Sequence, residues 1–221
     1  MIVRGTSLSL VLVMAAVCQA TAAEQAVLKM GAEDWKYLDT AEGPSGQWQT
    51  VDFVDTAWKS GQAPLGYGDD DIKQTISFGD AEAQKTICAF FRRAIEVEDP
   101  QAAKKFIGKL VCDDGCAVYV NGEEVHRHNL PDGELKSDTE SLFIVSGDLE
   151  RHAFTFLVDP AKFKPGKNVI AVRVHQRGAE SSDLAIDMSL TAEDDDEAVQ
   201  RAMQTYEAEQ EQIKSATEQE F

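Results

Sequence analysis

The chain has 221 residues, enough for one domain of ordinary size with a real core, plus an appendage. It carries 39 acidic against 21 basic residues, a net charge of −18. That charge repels phosphate backbones and anionic headgroups, so nucleic acid and membrane surfaces are excluded as natural partners, whereas cations, neutral sugars and basic proteins are not.

Residues 1–23 read as a cleaved secretory signal. Arg4 supplies a short positive region, Leu8 to Val17 an apolar stretch too short to span a bilayer comfortably, and Ala20-Thr21-Ala22-Ala23 a small-residue cleavage site. Val17 stands before Cys18 where acylation signals want a small residue, which argues against a lipoprotein. No later run approaches the ~18 apolar residues of a membrane helix. The predicted location is secreted or periplasmic.

From Trp35 to Leu190 the chain is a succession of short strands punctuated by Gly, Pro, Asn and Asp, predicted near 35–38, 48–53, 87–97, 105–112, 116–121, 123–127, 152–158, 168–176 and 183–191. Alternation is strongest at Phe154, Phe156, Val158; at Ile170, Val172, Val174; and at Leu184, Ile186, Met188, Leu190. Arg173, His175, Asp187 and Ser189 fall on the opposite, predicted wet, face. Asp113-Asp114-Gly115 and Asn121-Gly122 are turn signals, because these residues tolerate the backbone of tight reversals. Short helical turns are expected at Asp55–Lys59 and Asp159–Phe163, and a long loop from Asp132 to Gly147. With no strand-helix alternation, the predicted fold is all-β: an antiparallel two-sheet jelly-roll sandwich over 24–192. Residues 193–221 hold ten acids, two bases and no Gly or Pro, which favours an acidic helix detached from the core.

Several segments together resemble a known domain: Q-A-P-L-G-Y-G at 62–68, F-F-R at 90–92, D-D-G-C-A-V-Y-V-N-G at 113–122, H-R-H-N-L-P-D-G at 126–133, and N-V-I-A-V-R-V-H-Q with S-S-D-L between 168 and 184. They are similar to the galactose-binding-like β-sandwich domains attached to secreted bacterial metallophosphoesterases, glycosidases and surface proteins. The resemblance covers roughly Trp35 to Leu190. It implies an accessory binding module without catalytic residues of its own.

The candidate ligand-binding residues are polar groups at strand ends and turns: Asp113, Asp114, Asn121, Arg127, His175, Gln176, Ser181, Ser182 and Asp183, with Tyr67 in a Gly-rich loop expected to expose it. Carboxylates and amides suit sugar hydroxyls, and a carboxylate cluster with backbone carbonyls suits a structural Ca²⁺; no other cofactor is expected. The competing use of such residues is to cap their own turns. Trp35, Trp48, Trp58 and Tyr119 are expected to fill the core. Asp69-Asp70-Asp71 lacks EF-hand spacing and reads as a solvated turn. His126 and His128 share one strand face, as exposed loop histidines or a weak metal pair. Cys112 and Cys116 flank the Asp113-Gly115 turn, where a disulfide is expected, the rivals being Cys88 with either partner or three free thiols. Ser181-Ser182-Asp183 and His175 have triad residue types, but no elbow or metalloprotease motif accompanies them, so the chain is expected not to be an enzyme. Expected partners are carbohydrate or a glycoprotein, a separate exported enzyme, or a basic protein met by the acidic helix.

Overall fold

The computed structural model describes residues 25–81 and 84–220; the predicted signal segment lies outside the described residues. In chain order the strands are β1 (Gln25–Leu28), β2 (Trp35–Leu38), β3 (Lys59–Gly61), β4 (Leu65–Tyr67), β5 (Gln74–Thr75), β6 (Cys88–Val97), β7 (Lys105–Asp113), β8 (Gly115–Val120), β9 (Glu123–His128), β10 (Phe154–Val158), β11 (Gly166–His175) and β12 (Leu184–Glu193), followed by one helix, α1 (Asp196–Glu220). They make a two-sheet β-sandwich. One sheet runs β10-β7-β12-β4-β5 with β1 also on β12, the other β3-β2-β6-β11-β8-β9. The described strand pairs are antiparallel except β4 with β5.

The three alternating runs do what their period demands. Phe156 and Val158, Ile170 to Val174, and Leu184 to Leu190 point their apolar members into one shared core with Phe106 and Leu110. Each such side chain contributes roughly 1.5–3 kcal/mol by leaving water. Asn121-Gly122 closes the β8–β9 hairpin with both residues at positive φ, 52° and 97°, the backbone that a two-residue turn between twisted strands requires. Asp113-Asp114-Gly115 is a turn of another kind: it carries the chain from β7 in one sheet directly to β8 in the other.

The outer face of the second sheet is not wet as expected. Arg173 and His175 are buried there under the 39–58 and 129–143 segments, with a second apolar cluster of Trp48, Trp58, Phe90, Tyr119 and Leu130. Trp48 is its hub, edge-on to Phe90 at 5.2 Å and to Tyr119 at 5.8 Å. The strand predicted at 48–53 is therefore a chain of turns, held by Arg92, which binds the carbonyls of Trp48 and Thr50 and the Asp55 carboxylate at 2.9 Å. Asp55 to Trp58 makes one turn before β3, and the helical turn predicted after Asp159 is the 3₁₀ segment Pro160–Lys162, capped by the Asp159 side chain. Asp187 is likewise buried, accepting from the Gly31 and Met188 amides.

Two further expectations are corrected. The helix is not detached: Val199 and Glu209 are buried against the sandwich, and Glu209 accepts from the Thr155 amide at 2.6 Å and from His152 Nε2 at 3.0 Å. Cys88, Cys112 and Cys116 are all buried free thiols, so the predicted Cys112–Cys116 bridge is not formed. Cys112 and Cys116 belong to different sheets, Cys112 opposite Ile186 and Cys116 opposite Val174, and both are spent as core side chains. Burial pushes the Cys112 thiol well above its usual range and that of Cys88 up to about 12.

Candidate functional site

One end of the sandwich gathers the exit of β4, the β7–β8 corner, the exit of β11, the entry to β12 and the 3₁₀ segment Gly147–Arg151. Gly68, at φ +96°, allows one of the close approaches. A Cβ there would lie 2.7 Å from the Ser182 carbonyl oxygen and from the Asp183 Cα, so only glycine lets Asp69 reach Asp183.

Of the candidate residues, this end brings together Tyr67, Asp113, Asp114, Gln176, Ser181, Ser182 and Asp183. Asp114 is spent internally: its carboxylate accepts from the Val145 amide at 2.6 Å and the Arg177 amide at 2.7 Å, pinning two loops. Gln176 donates to the Asp183 carbonyl at 2.5 Å, and Ser182 donates to the Asp183 carboxylate at 2.9 Å. Tyr67 is buried rather than exposed, edge-on to Phe78, because its loop folds back on β12. Its hydroxyl, Gln176 Oε1 and Asp113 Oδ1 are buried without a hydrogen-bond partner.

The other candidates serve elsewhere. Asn121, at the opposite end, bonds Lys162, Asn168 and Val169. Arg127 forms a bidentate pair with Glu124 at 2.7 and 2.8 Å and holds the carbonyls of Pro131 and Gly133. His175 Nε2 accepts from Arg173 at 2.7 Å, which places the ring proton on Nδ1, donated to the Thr139 carbonyl at 2.6 Å. With both nitrogens engaged, and burial and the Arg173 charge lowering its pKa to about 3, His175 makes no triad with Ser181 or Ser182. His126 and His128 are not exposed loop residues but core ones, stacked on Phe156 and packed on Phe154.

Sequence reasoning missed two residues. Asp69, read as part of a solvated turn, and Glu150, in a stretch without pattern, each put a carboxylate oxygen beside that of Asp183, all three within 4.8 Å of one another. At an effective dielectric of 20, such a pair of like charges repels by roughly 3 kcal/mol. The pKa of Asp69 is accordingly raised, by burial and then by Asp183; that of Asp113 is raised by burial and then by Asp114 and Asp183. The signal for Asp69 was its place directly after Gly68; nothing local marked Glu150.

Two clefts meet at this cluster. One, of about 420 Å³, is lined by Ile144, Glu150, Arg177, Ser181, Ser182 and Asp183, the other, of about 290 Å³, by Met30, Asp69, Glu150 and Arg151 among others. A larger cleft of about 530 Å³ lies beside Asp39, whose carboxylate is already committed to Lys59 at 2.9 Å and the Ser77 amide at 2.6 Å.

No family model matches the chain, and no curated protein matches it. Solved structures do. Bacteroides uniformis β-glucuronidase matches at TM-score 0.51 and 18% identity, over 77% of this chain and 18% of the enzyme. Bacteroides uniformis β-glucuronidase 2, covalently bound to cyclophellitol-6-carboxylate aziridine, matches at TM-score 0.51 and 18% identity, over 76% of this chain and 18% of the enzyme. The chain thus spans under a fifth of these enzymes and shares the fold of one β-sandwich portion of them.

Proposed function

We propose that this chain is an exported, non-catalytic binding module of galactose-binding-like fold, whose converging loop end takes carbohydrate or a glycosylated surface. The observation that carries this reading is the 420 Å³ cleft, where Arg177, Ser182 and Asp183 stand beside Ile144, an apolar side chain 65% exposed. Sugars present hydroxyls and an apolar C–H face together, and a cleft with a few convergent polar groups beside apolar surface matches both. The sandwich fold shared with portions of β-glucuronidases supports an accessory role beside glycosidase chemistry. Glycan-array screening followed by calorimetry tests it. Arg177→Ala and Ile144→Asp are expected to weaken saccharide binding about tenfold or more, the scale of one lost charged hydrogen bond. No saccharide bound at millimolar concentration by the unaltered chain would end the reading.

A scaffold role is the second reading, favoured by the outward face of α1. With the inner face docked, Glu197, Glu207 and Glu211 remain exposed, Glu197 beside Arg201, and offer a basic partner a net acidic face. Charge reversal at these three positions tests it by pull-down, since it leaves the docked face intact.

A further inference from the structure

We infer that α1 is an acid-released latch: protons taken up at His126 and His128, in the seam that the helix closes, lift it off the sandwich while the two sheets stay folded. β9 and β10 are the end strands of opposite sheets, and α1 lies along β10 at the gap between them. On β9, His126 stands opposite Val118 and His128 opposite Cys116, so both rings turn toward the core side of the seam. His126 is stacked on Phe156 at 5.1 Å and edge-on to Tyr206 of α1 at 6.2 Å, and His128 packs on Phe154 at 4.2 Å. Nε2 of His126 and both ring nitrogens of His128 are buried without a hydrogen-bond partner. An apolar slot of this kind holds a neutral imidazole at the cost of an unmet polar group, but it rejects an imidazolium, which brings two donors and a charge.

The elements packed around the pair leave such a charge unbalanced. On β9 itself Glu124 is committed to Arg127, and on β7 Lys109 donates to the Thr155 hydroxyl. Glu209 of α1 is taken up by the Thr155 amide at 2.6 Å and by His152 at 3.0 Å. His152, with a side chain 45% exposed, works against release: protonated, it binds Glu209 more firmly, and its charge disfavours a second one on His128. The buried pair therefore drives the opening. Burial holds the pKa of His126 at about 4 and that of His128 at about 3, and a ring that reaches water regains ~6.5. Docking is thus undiminished above ~6.5 and weakens as pH falls below it, each freed ring favouring the released helix about thirtyfold at pH 5. The helix yields before the sheets do. Among the described residues α1 fully buries only Val199 and Glu209, whereas β11 is paired along its whole length with β6 and over much of it with β8. The latch is independent of the carbohydrate reading.

Hydrogen exchange of the full chain tests it, read by mass spectrometry at pH 7 and pH 5 and corrected for the intrinsic pH dependence of exchange. The amides from Val199 to Ile213 should open about tenfold or more often at pH 5, and at both pH values more readily than those from Val169 to Val174 in β11. His126→Phe with His128→Phe keeps the ring packing and should hold α1 opening constant between the two pH values, whereas His152→Gln should leave the acid response in place. Glu209→Ala touches neither buried ring and should open α1 already at pH 7, so it decides the matter if the double variant does not fold. The inference is overturned if α1 and β11 open together as one unit, if α1 opens equally at both pH values, or if Glu209→Ala leaves it protected. Loss of the response in His152→Gln overturns it as well, since the sensor would then be the half-exposed His152–Glu209 pair.

Discussion

His126 and His128 show how a single side chain couples this fold to pH. Both are buried between the sandwich edges, His128 without a partner on either nitrogen, and burial lowers their pKa values to about 4 and about 3. A base whose folded pKa is depressed below its unfolded ~6.5 contributes stability that is complete above 6.5 and is lost as pH falls through that window. His126 alone should cost about 3 kcal/mol by pH 4, and His175 acts with the same sign. Denaturant unfolding at pH 7, 5 and 4 is expected to show this slope, and His126→Phe with His128→Phe should flatten it; an unchanged slope would place acid lability elsewhere. Asp113 carries the opposite sign. Its raised pKa stabilises the folded state at low pH, and that contribution fades as pH rises through the raised value.

At the scale of elements, α1 is a lid over an open seam, not a free tail. β9 ends one sheet and β10 the other, and the helix lies along β10 with Tyr206 edge-on to His126 at 6.2 Å. Glu209 anchors it, its buried carboxylate accepting from the Thr155 amide. Glu209→Ala removes that acceptor and leaves a buried donor unmet, so a loss of about 1–3 kcal/mol is expected in urea unfolding. Glu207→Ala, one face away and exposed, should stay within about 0.5 kcal/mol. Equal losses at both positions would mean that helix propensity, not docking, sets the effect.

The molecule as a whole is an apolar sandwich wearing an anionic surface. Among the described residues no helix is long and apolar enough to cross a membrane. Like charges repel across that surface until salt screens them, so Tm should rise by about 2–5 °C between about 0.01 and about 0.15 M NaCl, read by calorimetry with chelator present. A flat response would mean the acids are already neutralised in pairs. The sandwich was legible from the chain because period-two alternation at 154–158, 170–174 and 184–190 forces those apolar faces together wherever they are placed. Strands β1, β3, β4 and β5 were not, since two to four residues are too few to show a period. Nor was the burial of Arg173, His175 and Tyr67, which depends on loops from elsewhere in the chain lying over them. The sequence alone determined the two layers and the acidic helix, because alternation and propensity act between near neighbours. Tertiary structure alone decided that the helix docks, that Cys112 and Cys116 remain free thiols, and that Asp69, Glu150 and Asp183 meet. Those three acids stand far apart along the chain, and only folding sets distances between residues that no local pattern links.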